Sequence, residues 1–120
     1  MDHSELGQWG EEYAALHLIK EGYTILERNW YFKRNEVDII CQKEKDLLVI
    51  VEVKTRNSDY FGDPQEFVTP KKRRSIVKVA DAYIQEQNLD LEVRFDIIGV
   101  LKNKDKEQLQ HFEDAFYFFE

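Results

Sequence analysis

Glu36-Val37-Asp38-Ile39-Ile40 and, after a short polar interval, Leu47-Leu48-Val49-Ile50-Val51-Glu52-Val53-Lys54-Thr55-Arg56 decide the reading of this chain. The second stretch has the apolar, β-branched composition of a buried strand, interrupted by one carboxylate and one lysine. Side chains alternate along a strand, so Glu52 and Lys54 share a face. Asp38 precedes Glu52 by fourteen residues, among β-branched neighbours of its own. Lys43-Glu44-Lys45-Asp46 reads as a turn, which makes a hairpin of Val37 to Gln42 and Leu47 to Thr55. For Asp38 and Glu52 to face one site across antiparallel strands, paired residue numbers must sum to an even value near 90, with a three-residue turn at Glu44 to Asp46.

Charged groups inside such strands need a reason. Taken alone, Glu-x-Lys on a strand is ordinarily an exposed ion pair. An aspartate, a glutamate and a lysine converging at a hairpin end instead form a site for a divalent cation and an activated water, as phosphodiester hydrolysis requires. Asp38, Glu52 and the backbone carbonyl of Val53 are the candidate ligands for Mg2+ or Mn2+. Lys54 is placed to orient or deprotonate the water, or to stabilise the pentacovalent phosphate.

Outward from the hairpin, Leu6, Trp9, Tyr13, Ala14 and Leu16 recur at helical spacing over Ser4 to Glu21, with Asp2 or Ser4 as cap and Gly22 beyond the last turn. Trp9 and Tyr13 are expected in the core. Glu11 lies on a small-residue flank with Gly7, Ala14 and Leu18 that can approach a sheet, whereas Glu12 points away; Glu11 is therefore a further catalytic and metal-ligand candidate. Tyr23 to Arg28 reads as a short first strand, and the aromatic and basic stretch Asn29 to Asn35 as a connection or irregular extension of it. Asn57 to Pro64 is a loop. Thr69 then caps a second helix with Pro70 at its first position and an apolar stripe of Ile76, Val79, Ala80, Tyr83 and Ile84 running toward Asn88. Val93 to Leu101 and Gln110 to Phe119 complete the strands, with Lys102 to Lys106 between them. The order α-β-β-β-α-β-β gives an α/β fold with a mixed sheet flanked by helices.

At 120 residues, with 42% hydrophobic and 13% aromatic content, the chain is expected to fold as a single domain, residues 1–120, without disulfides. Cys41 reads as a packing residue. The N-terminus has no signal-peptide pattern and no apolar run is long enough to span a bilayer, so the expectation is a cytoplasmic protein with no membrane partner. Net charge is −7, but residues 54–78 carry 7 basic and 3 acidic groups. A phosphate backbone can be held there, by Arg56, Lys71, Lys72, Arg73 and Arg74, while the remaining surface stays acidic. His3, His17 and His111 lack the spacing of a metal site or triad. Asp96 is expected to be an ion-paired structural carboxylate, and Phe116-Tyr117-Phe118-Phe119 to serve packing or a homodimer contact.

Gly7-Gln8-Trp9-Gly10-Glu11-Glu12-Tyr13-Ala14, Gly22-Tyr23-Thr24-Ile25-Leu26, Glu36-Val37-Asp38-Ile39-Ile40, Val51-Glu52-Val53-Lys54-Thr55-Arg56, Phe61-Gly62-Asp63-Pro64 and Arg94-Phe95-Asp96-Ile97-Ile98 resemble, in order, the successive blocks of the bacterial YraN-like proteins, uncharacterised protein family 0102. The resemblance implies a restriction-endonuclease-like core related to archaeal Holliday-junction resolvases. In such a core a helix glutamate, a strand aspartate and a Glu-x-Lys pair make the metal site, here Glu11, Asp38, Glu52 and Lys54, with a basic position in the second helix at Lys72. Asn35 departs from the glycine usual before Glu-x-Asp, though asparagine also tolerates a left-handed backbone.

The leading expectation is a Mg2+- or Mn2+-dependent endonuclease acting on branched or otherwise structured nucleic acid, DNA in preference to RNA. The alternatives are a non-catalytic nucleic-acid-binding module and an acidic protein-interaction domain. Intact Asp38, Glu52 and Lys54 favour the first, because binding alone does not require a lysine beside two ligand carboxylates. The acidic total favours the last.

Overall fold

The computed structural model describes residues 1–58, 62 and 64–117. Its elements are α1 (His3–Lys20), β1 (Tyr23–Phe32), β2 (Asn35–Lys43), β3 (Leu47–Arg56), α2 (Pro64–Phe67), α3 (Pro70–Gln87), β4 (Glu92–Lys102) and β5 (Glu107–Phe116). The five strands form one mixed sheet in the order β1-β2-β3-β4-β5, with β3 and β4 parallel and the other neighbours antiparallel. A parallel pair cannot be closed by a tight turn, and α2 and α3 provide the crossover. This is the α/β architecture of a mixed sheet flanked by helices that the sequence pattern and the resemblance both imply.

The register of the central hairpin is the expected one. Pairs run from Lys43↔Leu47 to Ile39↔Val51, each summing to 90, around a three-residue turn in which Glu44 takes the left-handed conformation at φ 58°. Buried side chains divide between the two faces. Ile39, Cys41, Val49, Val51, Val53, Ile98 and Val100 meet Ala14, Ala15 and Leu18 of α1. On the other face Val37, Ile40, Leu48, Ile50, Phe95 and Ile97 meet Ile76, Val79, Ala80 and Tyr83 of α3. Thr69 caps α3, its side chain accepting from the Lys72 N–H at 3.2 Å, and Asn88 closes the helix at φ 53°.

Several expectations are corrected. The stripe through Leu16 is not the buried side of α1: Leu16 and Ile19 are 58% and 55% exposed, and Trp9 and Tyr13 are only half-buried, stacked on one another at 4.9 Å. Gly10, Ala14, Ala15 and Leu18 face the sheet because they let the helix approach closely. A Cβ on Gly10 would stand 1.8 Å from Thr55 Oγ1, so the crossing of α1 over β3 has room only for glycine. Of the two readings of Asn29 to Asn35, the irregular extension holds: β1 continues past Arg28 to Phe32, with a register shift between Ile25 and Glu27, and makes a second hairpin with β2. β5 begins at Glu107 rather than Gln110, and α2 adds one helical turn not read from the sequence. Asp59, Tyr60, Phe61 and Asp63 of the expected loop, and Phe118 and Phe119 of the aromatic tail, lie outside the described residues. No helix among the described residues is long and apolar enough to cross a membrane.

Candidate metal centre

The β2–β3 ladder runs only as far as Ile39↔Val51, and the Asp38 carboxylate takes over beyond it. Its Oδ2 accepts from the Val53 N–H at 2.7 Å. In an extended strand a residue's N–H and C=O point to the same side, so the Val53 carbonyl faces this opening as well. Val37 and Ile40 pack into the same cluster. Strand alternation is therefore interrupted at Asp38, which turns its carboxylate toward β3.

Glu52 is 5% exposed, and its Oε1 is the one buried side-chain polar atom among the described residues with no hydrogen-bond partner. Its Oε2 lies 3.6 Å from Lys72 Nζ, which reaches across from the first turn of α3. Burial holds the Glu52 carboxyl above its ordinary range, with the Lys72 charge, then a hydrogen bond from the Asp38 carboxyl, then the Lys54 charge pulling it back. Asp38 is raised further, to about 8, first by burial and then by the Glu52 charge, against the Val53 N–H. Two neighbouring carboxyls cannot both ionise cheaply without a cation between them. The donor set therefore fits a hard divalent ion: two carboxyls, one with a buried oxygen left over, and an adjacent backbone carbonyl.

The remaining sequence candidates are distributed around this pair. Lys54 is half-buried two residues beyond Glu52. Glu11 lies on the α1 side, where Asn29 Nδ2 donates to its Oε1 at 2.8 Å. Burial, with smaller contributions from the Asp38 and Glu36 charges, raises its carboxyl. It does not complete a three-carboxylate cluster, since among the described residues no three His, Cys, Asp or Glu side chains gather as metal ligands. Glu12 turns outward and pairs with Arg28 at 2.7 Å. The cations of the basic segment differ in their surroundings. Arg73 Nε donates to the Val68 carbonyl at 3.1 Å, Arg56 stands over the Phe67 ring at 5.3 Å, Lys72 is drawn to Glu52, and Lys71 and Arg74 are exposed. A groove of about 480 Å³ is lined by Val77, Ala80, Ile84, Leu91, Val93 and Phe95 with Lys78 and Asp81 at its charged side, apart from the carboxyl pair.

A second polar cluster lies on the α1 face. Asp96 is fully buried and accepts from Arg94 Nε and NH2, each at 2.9 Å, and from the Asp114 N–H at 3.0 Å, with His111 Nε2 at 2.7 Å. Burial alone would raise its carboxyl, but the His111 and Arg94 contacts hold it below the ordinary value. This is the expected ion-paired carboxylate. Sequence spacing did not reveal that His111 also meets His17 at 3.3 Å, tying α1 to β5. A chain of contacts 94 residues apart has no local signature.

A family model described as Uncharacterised protein family UPF0102 matches residues 10–100. The chain belongs to that family. A UPF0102 protein of Flavobacterium psychrophilum is 52% identical over 118 residues, covering 98% of each chain. One from Flavobacterium johnsoniae is 52% identical over 122 residues, with the same coverage. One from Syntrophomonas wolfei is 44% identical over 113 residues, 93% of this chain and 97% of its own. Among solved structures, this UPF0102 chain is similar to Pyrococcus furiosus SfsA in complex with Ca2+, at 14% identity and a TM-score of 0.39, covering 93% of this chain and 64% of that one.

Proposed function

We propose that this UPF0102 protein is a metal-dependent endonuclease that hydrolyses phosphodiester bonds in branched or otherwise structured DNA. The observation that carries the reading is the strained carboxyl pair: Asp38 held near 8 beside a buried Glu52 oxygen that no protein group satisfies, with Lys54 and Lys72 alongside. A structural ion pair would satisfy its oxygens as Asp96 does. Asp38, Glu52 and the Val53 carbonyl would hold Mg2+ or Mn2+, which supplies electrophilic activation of the phosphate and a more acidic water. The Val53 N–H fixes the Asp38 carboxyl by one oxygen, and a hydrogen bond joins that carboxyl to Glu52. Lys54, on the Glu52 face one residue pair further along, orients the attacking water or carries charge for the pentacovalent phosphate. Lys72 holds the Glu52 rotamer through its Oε2 and adds positive charge where the scissile phosphate would sit. Glu11, on the opposite side of the sheet end, is kept out of the ligand set by its bond to Asn29 and acts on the pair through its charge.

The test is cleavage of duplex, flap, four-way-junction and single-stranded DNA with Mg2+ or Mn2+, run beside Glu52→Ala. Metal-dependent cleavage that disappears in the variant is expected. Intact substrates throughout, with the parent protein bound to them, would make the protein a binding module.

A further inference from the structure

The hairpin of β1 and β2 ends in a two-residue turn, Lys33-Arg34, closed by the pair Phe32↔Asn35. Lys33 sits there at φ 57°, a left-handed conformation that glycine or asparagine adopts at less cost. A cation is thus kept at a position whose backbone geometry argues against it. Lys33 and Arg34 are exposed, and neither has an acidic partner among the described residues, whereas Arg28, Lys72, Arg94 and Lys102 all do. Lys33 leans over the Phe32 ring at 5.3 Å. Beside them Tyr31 is 61% exposed, while its neighbours Trp30 and Phe32 turn inward against the α3-side core. A polar residue would suffice at a solvent-facing strand position, yet the chain presents a ring.

The tip is connected to the carboxyl pair by covalent structure. Tyr31 stands opposite Glu36, two residues before Asp38 on β2. Arg34 is four residues from Asp38, roughly 13 Å of extended strand, or about four base-pair steps along a duplex axis. Glu36, by a hydrogen bond and its charge, and the more distant charge of Glu11 both hold the Tyr31 phenol above its ordinary value.

We propose that this tip is a second nucleic-acid contact, with Tyr31 stacking on an unpaired base and Lys33 and Arg34 holding the adjoining phosphates. The inference rests on the nuclease reading and gives it a substrate class: DNA that presents unpaired bases beside a duplex, a few nucleotides from the cleaved bond. Cations alone would hold any backbone. A side-chain ring needs an accessible base face, which a closed duplex offers only at its ends.

Binding by fluorescence anisotropy, in chelator so that nothing is cut, separates the parts. The probes are a blunt duplex and the same duplex with a single-stranded tail, each over a range of salt concentrations. Tyr31→Ala is expected to weaken tailed-duplex binding about tenfold, to weaken blunt-duplex binding, where only the terminal base faces are open, several-fold less, to leave both salt slopes unchanged, and to be rescued by Tyr31→Trp. The Lys33→Ala/Arg34→Ala variant is expected to weaken both probes and flatten both slopes by roughly two units. Tyr31 is exposed, so its replacement does not threaten folding. Equal binding of both probes by parent and Tyr31→Ala, or an equal loss on both, overturns the stacking role while leaving the nuclease reading intact. A parent protein that binds neither probe at low salt overturns both.

Discussion

Replacing Asp38 by asparagine should make the metal-free protein more stable, and increasingly so as pH rises. Asp38 has an ordinary value of 3.8 and is held at about 8 in the fold. Because the folded value lies above the unfolded one, its contribution is fully present below about pH 4 and is lost as pH rises through about 8. Between those limits the parent loses about 1.4 kcal/mol per pH unit, so linkage alone gives roughly 2 kcal/mol between pH 6.5 and 8. Coupling to Glu52 and solvent entry reduce this to about 1 to 2 kcal/mol. Asparagine has no proton to release, and its carbonyl can still accept from the Val53 N–H. Taking the difference between variant and parent also cancels His17, which burial and His111 hold below 6.5 and whose effect is confined to lower pH in both proteins. Urea unfolding in chelator at pH 6.5 and 8.5 reads the effect. The parent midpoint should fall relative to that of the variant by about 0.5 to 1 M. Added Mn2+ should restore the parent at pH 8.5 and not the variant. A parent midpoint that is flat or rising over this interval, with Asp38→Asn tracking it, would refute the idea that the pair is strained.

Gly10→Ala should destabilise the protein by about 1 to 3 kcal/mol through its collision with Thr55, and a double-mutant cycle with Thr55→Ala should return a favourable coupling energy; additive losses would mean α1 shifts freely. Asp96→Asn should cost about 2 to 3 kcal/mol in thermal or chemical unfolding, because it leaves the half-buried Arg94 charge with only the exposed Glu113 as an acidic partner. In the parent that contribution is lost only as pH falls below the ordinary 3.8, since Asp96 is held below it; equal stability of parent and variant at pH 7 would contradict this. Lys71→Ala/Arg74→Ala should weaken DNA binding for all sequences and flatten the log-affinity against log-salt slope by roughly two units, whereas Lys54→Ala should bind as the parent does and fail to cut; unchanged slopes in the double variant would identify these cations as a solvated face.

The parity of the central hairpin was legible in residue order, because alternation along a strand has a period of two and a three-residue turn leaves no choice of face. The arithmetic brings Asp38 and Glu52 to the same end of the hairpin, whereas the meeting of their side chains depends on the break in alternation at Asp38, beyond the last ladder pair Ile39↔Val51. The second helix of the sequence reading, α3, was equally local: Thr69-Pro70 states its own cap, and Ile76, Val79, Ala80 and Tyr83 state its buried stripe. α1 was not legible in this way. Hydrophobicity ranks Leu16 and Ile19 above Gly10 and Ala14, but the helix is buried through its small residues because close approach at Thr55 fits more of the backbone against the sheet than bulky side chains would permit. Sequence order likewise could not state that Lys72 reaches Glu52, that Glu11 is held by Asn29 outside the carboxyl pair, or that His17 and His111 meet beside Asp96. Each of these joins residues from elements that neighbour one another only after β4 has paired parallel to β3 and both helices have docked. Local patterns carry the elements and their faces, whereas the distances between charges belong to packing.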